Sequence, residues 1–502
     1  MAPSAPDATP TTLEITDREP SDAIEDDSDS DSDPVHALTS RATALFMVGQ
    51  YEAAIAAYDQ LLDLDPSAAE PWITRGLALG NLDRHEDAIA SYDKALELDP
   101  QNAQIWTHRG TALDELGRHE DAIADYDKAL ELDNQDPQTW YGQGLALSSL
   151  DRHEDAIAAY EQALTLDPNA GEIWHLRGIS LSQFDRFGEA VMSYGKAVEL
   201  QPTNDSAWYN RAIALDELQR YEEAITAYET VLKLQPGDYQ AWNNHGYALA
   251  QLDDYETAIA SYEKALDLKP DYPQAWSNHG FALAQLGDLE SAISSYDTAL
   301  ELNPESHLTW YFRGLALDEL EQYEDAIASY DQSLAINPAR ANAWNNRGIA
   351  LDRLGQHEDA IASYDNAVDC DPSHTQAWYN RGLSLNHLQR YDEAITSYNQ
   401  ALTLDPDHHP ALYNIACCHS LQGNPEQAIA ALQQAIAIAP DHNRDLADQD
   451  PDLDPLRTDP RFQALLNGTG PITAESAADA NDPPPPLDPL AAIFGQAFGP
   501  QE

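Results

Sequence analysis

The sequence predicts an all-α solenoid built from twelve helix-turn-helix units of 34 residues each. Three observations predict it: the tryptophans of the 502-residue chain lie 34 residues apart, a Gly follows most of them four residues later, and Ala and Tyr follow sixteen and twenty residues later. A fixed period of this length is typical of solenoids, whose units pack on their neighbours. The tryptophans are Trp72, Trp106, Trp140, Trp174, Trp208, Trp242, Trp276, Trp310, Trp344 and Trp378.

Within one unit, the spacing predicts two helices joined by a polar turn. Trp72, Gly76 and Leu79 lie at i, i+4 and i+7, which places them on one helix face, and residues 88–95 repeat this spacing. Pro100 disfavours helix in the residue before it and ends the pair. Because Gly leaves room where two helices approach, we expect the tryptophans to be core residues that pack beside it.

The complete pattern resembles the tetratricopeptide repeat (TPR). It consists of WxxxG followed by Ala, Tyr and Pro at fixed offsets, and it covers roughly four-fifths of the chain. The WxxRG start at 378–382 and the closing Asp-Pro-Arg-Phe at 459–462 resemble multi-TPR proteins of cyanobacteria. The resemblance implies a right-handed superhelix in which the first helix of every unit lines the concave face.

The composition divides the chain into four segments. Residues 1–34 form a tail rich in acid, Ser and Pro that is expected to be disordered, and 35–442 hold the twelve units. Residues 443–467 mix Leu and Phe with polar residues, as a capping segment at the open end of a solenoid would. Residues 468–502 are a Pro-rich tail, also expected to be disordered. Its apolar tip, residues 487–498, is free to dock in the chain's own groove, in a second copy or in another partner.

The charge excludes several classes of partner. With 26 basic and 87 acidic residues, the formal net charge is −61. Such a surface repels nucleic acid and anionic lipid. No apolar run is long enough for membrane insertion. Three cysteines without a pairing pattern, and a start that does not resemble a signal peptide, lead us to expect a cytoplasmic protein. The oligomeric state is left open.

No catalytic motif stands out in the sequence. A P-loop, GxGxxG and GxSxG are all missing, and no second His follows the His-Glu pairs at the spacing of a zinc protease. The best metal ligands, His408, His409, Cys417, Cys418 and His419, fit no standard zinc spacing. We therefore predict no enzyme activity, no cofactor and no metal.

A row of asparagines is the first candidate binding site. They stand two residues after the tryptophan, and a carboxamide both donates and accepts hydrogen bonds, so it can pair with a peptide bond. The row resembles the asparagine ladder in the TPR superhelix of O-linked N-acetylglucosamine transferase, which grips extended peptide backbone. The alternative is that Asn is merely tolerated at an exposed helical position. The row comprises Asn210, Asn244, Asn278, Asn346, Asn380 and Asn414.

Further along the same helices, acidic and apolar residues alternate. The acid pairs and the apolar residues between them favour a basic or amphipathic ligand. We also expect the Arg that recurs just before the Gly to pair with neighbouring acids. The candidate binding residues in this set are Asp216, Glu217, Asp318, Glu319, Tyr247 and Phe281.

These features together predict a non-enzymatic scaffold that binds extended or helical segments of other proteins. The alternative is a regulatory or substrate-targeting subunit of a separately encoded enzyme, such as a glycosyltransferase, which the asparagine row motivates. A third interpretation attributes the acidity and the scarcity of Lys to a saline cell interior rather than to a ligand.

Overall fold

The computed structural model describes residues 34–469, and its chain folds into 26 α-helices and one 3₁₀ helix, with no strand in that range. The all-α architecture of paired helices predicted from the sequence is therefore confirmed. Nearly all of the two predicted tails, 1–34 and 468–502, lies outside the described residues. None of the described helices combines the length and the apolar character needed to cross a bilayer.

The chain forms two compact units, and the first extends to Asp167. It contains four helix pairs, in which each first helix packs along the second. Its helices are α1 (Pro34–Met47), α2 (Tyr51–Leu64), α3 (Ala69–Gly80), α4 (His85–Leu98), α5 (Ala103–Glu115), α6 (His119–Leu132), α7 (Pro137–Ser149) and α8 (His153–Leu166).

The second unit begins at Pro168 and contains eight further pairs and three short C-terminal helices. The pairs are α9 (Gly171–Ser182) with α10 (Phe187–Leu200), α11 (Asp205–Glu217) with α12 (Tyr221–Leu234), α13 (Tyr239–Ala250) with α14 (Tyr255–Leu268), α15 (Pro273–Gln285) with α16 (Leu289–Leu302), α17 (His307–Glu319) with α18 (Tyr323–Ile336), α19 (Ala341–Arg353) with α20 (His357–Cys370), α21 (Thr375–His387) with α22 (Tyr391–Leu404), and α23 (His409–Leu421) with α24 (Pro425–Ile438). The short helices are α25 (Pro440–Gln449), a 3₁₀ helix (Pro451–Leu456) and α26 (Pro460–Leu466). We call the odd-numbered helices up to α23 the A helices and the even-numbered ones up to α24 the B helices.

Every turn from an A helix to its B helix contains one residue in the left-handed backbone region. At Asp83, for example, φ is +56°. Five of the twelve residues are Gly, which adopts this conformation without steric cost, and the others carry a side chain. The turn residues are Gly49, Asp83, Gly117, Asp151, Asp185, Gln219, Asp253, Gly287, Glu321, Gly355, Gln389 and Gly423.

In nine of the twelve pairs, a buried Tyr of the B helix lies against a Gly of the A helix. Tyr92 is buried, and a Cβ atom added to Gly76 would lie 2.5 Å from its Cε1. The Gly is therefore small because an aromatic ring of the same repeat occupies the space.

The prediction that the ten tryptophans are core residues is corrected here, because they lie at the edge of this core. Each is only partly buried, although several, such as Trp208 and Trp242, pack against core clusters. Each indole Nε1 donates a hydrogen bond to the backbone carbonyl six residues earlier, as Trp310 does to Pro304 at 2.9 Å. The tryptophan thus links the start of the A helix to the preceding loop by a hydrogen bond. The space beside the Gly, which the sequence analysis assigned to the Trp, is filled by the Tyr.

The C-terminal short helices pack on the last pair. Leu453, Leu456 and Phe462 are buried in the same cluster as residues of α23 and α24. These contacts keep apolar surface of the last pair away from water, which is what a solenoid requires at its end.

Candidate functional site

The six asparagines predicted to form a ladder use their amide groups between neighbouring repeats. Each Nδ2 lies 3.0–3.2 Å from a side chain located 35 residues earlier in the sequence. The pairs are Asn210 with His175 Nε2, Asn244 with Tyr209, Asn278 with Asn243, Asn346 with Tyr311, Asn380 with Asn345, and Asn414 with Tyr379. The expectation that these residues stand on an exposed face is wrong for Asn244, Asn278 and Asn380, which are buried.

Two of these contacts extend into networks that join three consecutive A helices. Asn278 in α15 donates to Asn243 in α13, whose own Nδ2 donates to Asn244 Oδ1 at 3.1 Å. Asn244 then donates to the hydroxyl of Tyr209 in α11. The same network recurs among α17, α19 and α21, with Asn345 in the central position. The asparagine row is thus a set of inter-repeat hydrogen bonds.

In the predicted acid pairs, the Asp is at least partly buried and the Glu is exposed. Asp216 is buried, its Oδ2 accepts a hydrogen bond from Tyr228 Oη at 2.7 Å, and burial raises its pKa to about 8. Burial likewise raises the pKa of Asp318 to about 6. Glu217 and Glu319 are exposed. The expectation of exposed acid pairs therefore fails for Asp216 and holds for the two glutamates.

The two aromatic residues predicted to form an apolar floor belong to the core instead. Tyr247 is 3% exposed and Phe281 is 1% exposed. The Phe281 ring packs edge-on against Phe312, with ring centroids 5.6 Å apart. Neither ring is accessible to a ligand, so this part of the predicted site is wrong.

The arginines before the Gly form the structural row that the sequence indicated. In five of them the guanidinium contacts a carboxylate 16 residues earlier, on the preceding B helix, and most of the row also bond a Ser 16 residues later. The carboxylate pairs are Arg75–Asp59, Arg109–Asp93, Arg313–Asp297, Arg347–Asp331 and Arg381–Asp365, at 2.5–2.7 Å. The expected pairing with neighbouring acids is confirmed for these five arginines.

An open cavity lies between α3, α4 and α5, in the second and third repeats. It measures about 320 Å³. Its lining includes Gly80 at the end of α3, Tyr92 of α4 and His108 of α5. The Tyr92 and His108 rings are stacked with centroids 6.0 Å apart. The site thus combines aromatic surface with polar groups that lie close together, as small binding sites do.

Gly80 explains why the cavity exists. In three other repeats the residue twelve positions before the B-helix Tyr bonds its hydroxyl: Ser182 with Tyr194, Asp216 with Tyr228, and Asp352 with Tyr364, at 2.7–3.2 Å. Gly80 stands at this position relative to Tyr92 and offers no side chain. A Cβ atom added to Gly80 would meet no atom within 4 Å.

The rim of the cavity is acidic. Asp83 and Glu115 line it and are exposed, and no Lys or Arg is among the described residues of its lining. Burial lowers the pKa of His108, so its imidazole is neutral at pH 7. The local field therefore favours a cation.

Among residues 34–469, one cluster offers ligand atoms of the kind that bind metals. The ligand atoms of Cys417, Asp450 and Asp452 lie within 4.8 Å of one another. However, the Tyr413 hydroxyl donates to Asp450 Oδ2 at 2.8 Å, and the Asp450 Oδ1 accepts the backbone N–H of Asp452. Burial also raises the pKa of the Cys417 thiol, which keeps it protonated. The carboxylate of Asp450 is thus used for hydrogen bonds within the protein, and the Cys417 thiol is not in the form that binds a metal.

Family models described as "Tetratricopeptide repeat" match most of the chain. The matches cover residues 23–69, 39–102, 73–137, 137–170, 175–229, 209–273, 278–341, 314–373, 345–409 and 386–448. The chain belongs to the TPR family. No curated protein sequence matches it.

Solved TPR structures are similar to parts of the chain. YrrB, described as a TPR protein with an unusual peptide-binding site, is 27% identical, with a TM-score of 0.34 over 36% of this chain and 93% of its own. MamA of Desulfovibrio magneticus RS-1 is 24% identical, with a TM-score of 0.33 over 34% and 97%. The C-terminal part of a TPR protein of Cytophaga hutchinsonii is 18% identical, with a TM-score of 0.42 over 48% and 98%.

Sequence reasoning did not single out this cavity. The available signal was Gly80, which stands eight residues after Trp72, whereas the other tryptophan-containing units carry a residue with a side chain there. His108, two residues after Trp106, occupies the position that holds Asn in the asparagine row.

Proposed function

We propose that this TPR protein is a scaffold that binds segments of other proteins, and that the cavity between α3 and α5 takes a Lys or Arg side chain of such a segment. The observation that carries the proposal is the acidic rim formed by Asp83 and Glu115 around a cavity whose described lining includes no Lys or Arg. A cation entering it gains Coulomb attraction to Glu115 and to Asp83, whose Oδ1 lies 4.0 Å from His85 Nε2.

The interior of the cavity suits the same ligand. The neutral His108 ring is only partly buried, and aromatic faces attract ammonium and guanidinium groups. The Tyr92 hydroxyl and the Glu115 carboxylate are available as hydrogen-bond acceptors. A volume of about 320 Å³ is suited to one long side chain, and the rest of the segment would lie across the adjoining A helices.

Paired peptides test this proposal. A set of fluorescent amphipathic peptides, each with one central Lys, is compared with twins that carry norleucine, which has a similar chain length and no charge. Fluorescence anisotropy should show tighter binding of the Lys peptides, with a preference that weakens as salt rises. Equal affinity of both twins, or tighter binding of peptides with Glu at that position, contradicts the proposal.

Two matched variants locate the effect. Glu115→Gln removes one rim charge and should lower the Lys preference by about 1.5- to 5-fold, because exposed charge pairs contribute about 0.2–1 kcal/mol. Glu120→Gln removes an exposed carboxylate of α6 that is outside the cavity lining, and should change little. If both variants behave alike, the preference comes from the net charge of the protein and not from the cavity.

A regulatory or substrate-targeting subunit of a separate enzyme is a narrower version of the same scaffold. The asparagine row that motivated it is used for hydrogen bonds between repeats, so the proposal does not depend on it. Stable co-purification with a catalytic chain would establish this narrower role.

A further inference from the structure

Arg211 occupies the position of the arginine row in α11, where Ala212 replaces the Gly, and it breaks the pattern of the row at both of its partner positions. Position 195, sixteen residues earlier, is Gly where five other members of the row find a carboxylate. Position 227, sixteen residues later, is Ala where most of them find a Ser hydroxyl. Arg211 thus retains the side chain of the row without the groups that satisfy it.

The surroundings of Arg211 do not replace these partners. Its Nε is buried and has no hydrogen-bond partner among residues 34–469. Its guanidinium lies 5.4 Å from the centre of the Trp208 ring. Glu223 contributes electrostatically but is paired with Arg220 at 2.6 Å. Burial lowers the pKa of Arg211, whereas hydrogen bonds to Asp125 raise that of Arg109.

Space for an incoming group is present beside it. A Cβ atom built on Gly195 would meet no atom within 4 Å, so the place that Asp occupies in other repeats is open. A guanidinium that is partly removed from water and unpaired binds a carboxylate through charge-assisted hydrogen bonds, with a geometry that Arg matches well.

We propose that Arg211 binds a carboxylate supplied by an acidic side chain of a bound protein, in the position that the array's own carboxylates fill elsewhere. The site is independent of the cavity between α3 and α5. It gives a strongly acidic protein a place at which a negatively charged residue of a partner is accepted.

Nuclear magnetic resonance of the full chain, labelled with ¹⁵N at arginine, tests this site. The Nε–H signal of Arg211 is identified by its loss in Arg211→Lys. We expect a saturable shift of this signal with sodium acetate and with the capped peptide Gly-Asp-Gly, larger than the shift of Arg75. Sodium chloride at equal ionic strength and capped Gly-Asn-Gly should have no such effect. A shift that chloride reproduces would overturn the assignment to carboxylate.

Two substitutions at one position supply the decisive control. Gly195→Asp restores the internal carboxylate and should abolish the response to acetate. Gly195→Ala replaces the same glycine without adding a carboxylate, and should retain the response. No Arg211-specific shift in the wild-type protein, or equal responses of the two variants, would refute the site.

Discussion

Replacing Asn380 by Ala should destabilise the array by about 1–3 kcal/mol. Asn380 is buried, its Nδ2 donates to Asn345 Oδ1 at 3.1 Å, and its Oδ1 accepts from Gln376 Nε2 at 2.9 Å. The substitution leaves the Asn345 oxygen without this donor inside the protein, and an unsatisfied buried group costs about 1–3 kcal/mol. If Asn380 served only to bind peptide, the free protein would lose no stability.

Urea unfolding followed by circular dichroism measures the change. Because repeat arrays open in segments, hydrogen exchange of α19 and α21 locates it. Asn399→Ala is the control: Asn399 is exposed on α22, and the substitution brings the same gain in helix propensity. The double variant Asn345→Ala/Asn380→Ala should cost less than the sum of the two single changes. A loss in Asn380→Ala no greater than in the control would refute the inter-repeat role.

Two further predictions concern the core. Gly76→Ala should lower the free energy of unfolding by about 1–3 kcal/mol, because the new Cβ would lie 2.5 Å from Tyr92 Cε1. Gly80→Ala is the control and should cause no loss, because its Cβ meets no atom within 4 Å. Equal thermal midpoints of the two variants would contradict this packing. Asp216 has a folded-state pKa raised to about 8, so its ionisation disfavours the folded state increasingly as pH rises from about 4 to about 8. Asp216→Asn should therefore gain stability relative to wild type between pH 5 and pH 9 in thermal unfolding, and a difference that does not vary with pH would contradict the burial of this carboxyl.

The helix pairs were predictable because their signals are local. Apolar spacing within one unit and its recurrence every 34 residues determine where each helix lies. The partners of Asn278 and Asn380 lie 35 residues away, and their burial depends on how closely A helices stack. This packing involves two neighbouring repeats. The residue type at one position therefore could not show whether a carboxamide is exposed or buried.

The roles of Trp and Tyr show the same limit. Both recur strictly, and periodicity alone cannot tell which ring is fully enclosed. The structure encloses Tyr92 against Gly76 and leaves Trp72 partly exposed, with its indole N–H bonded to Pro66. The cavity was missed for a related reason: the absence of a side chain at Gly80 matters only because that position faces the Tyr92 hydroxyl.

The measurement that most directly tests the scaffold proposal is the binding of a Lys peptide and its norleucine twin to Gly80→Asn. The new side chain meets no atom at its Cβ and fills the cavity without adding charge, as Asp216 fills the equivalent space beside Tyr228. Circular dichroism must first show an unchanged helix content. We predict that the variant binds the Lys peptide no more tightly than the norleucine peptide, whereas wild type distinguishes them. A Lys preference retained in full by Gly80→Asn would contradict the proposed site.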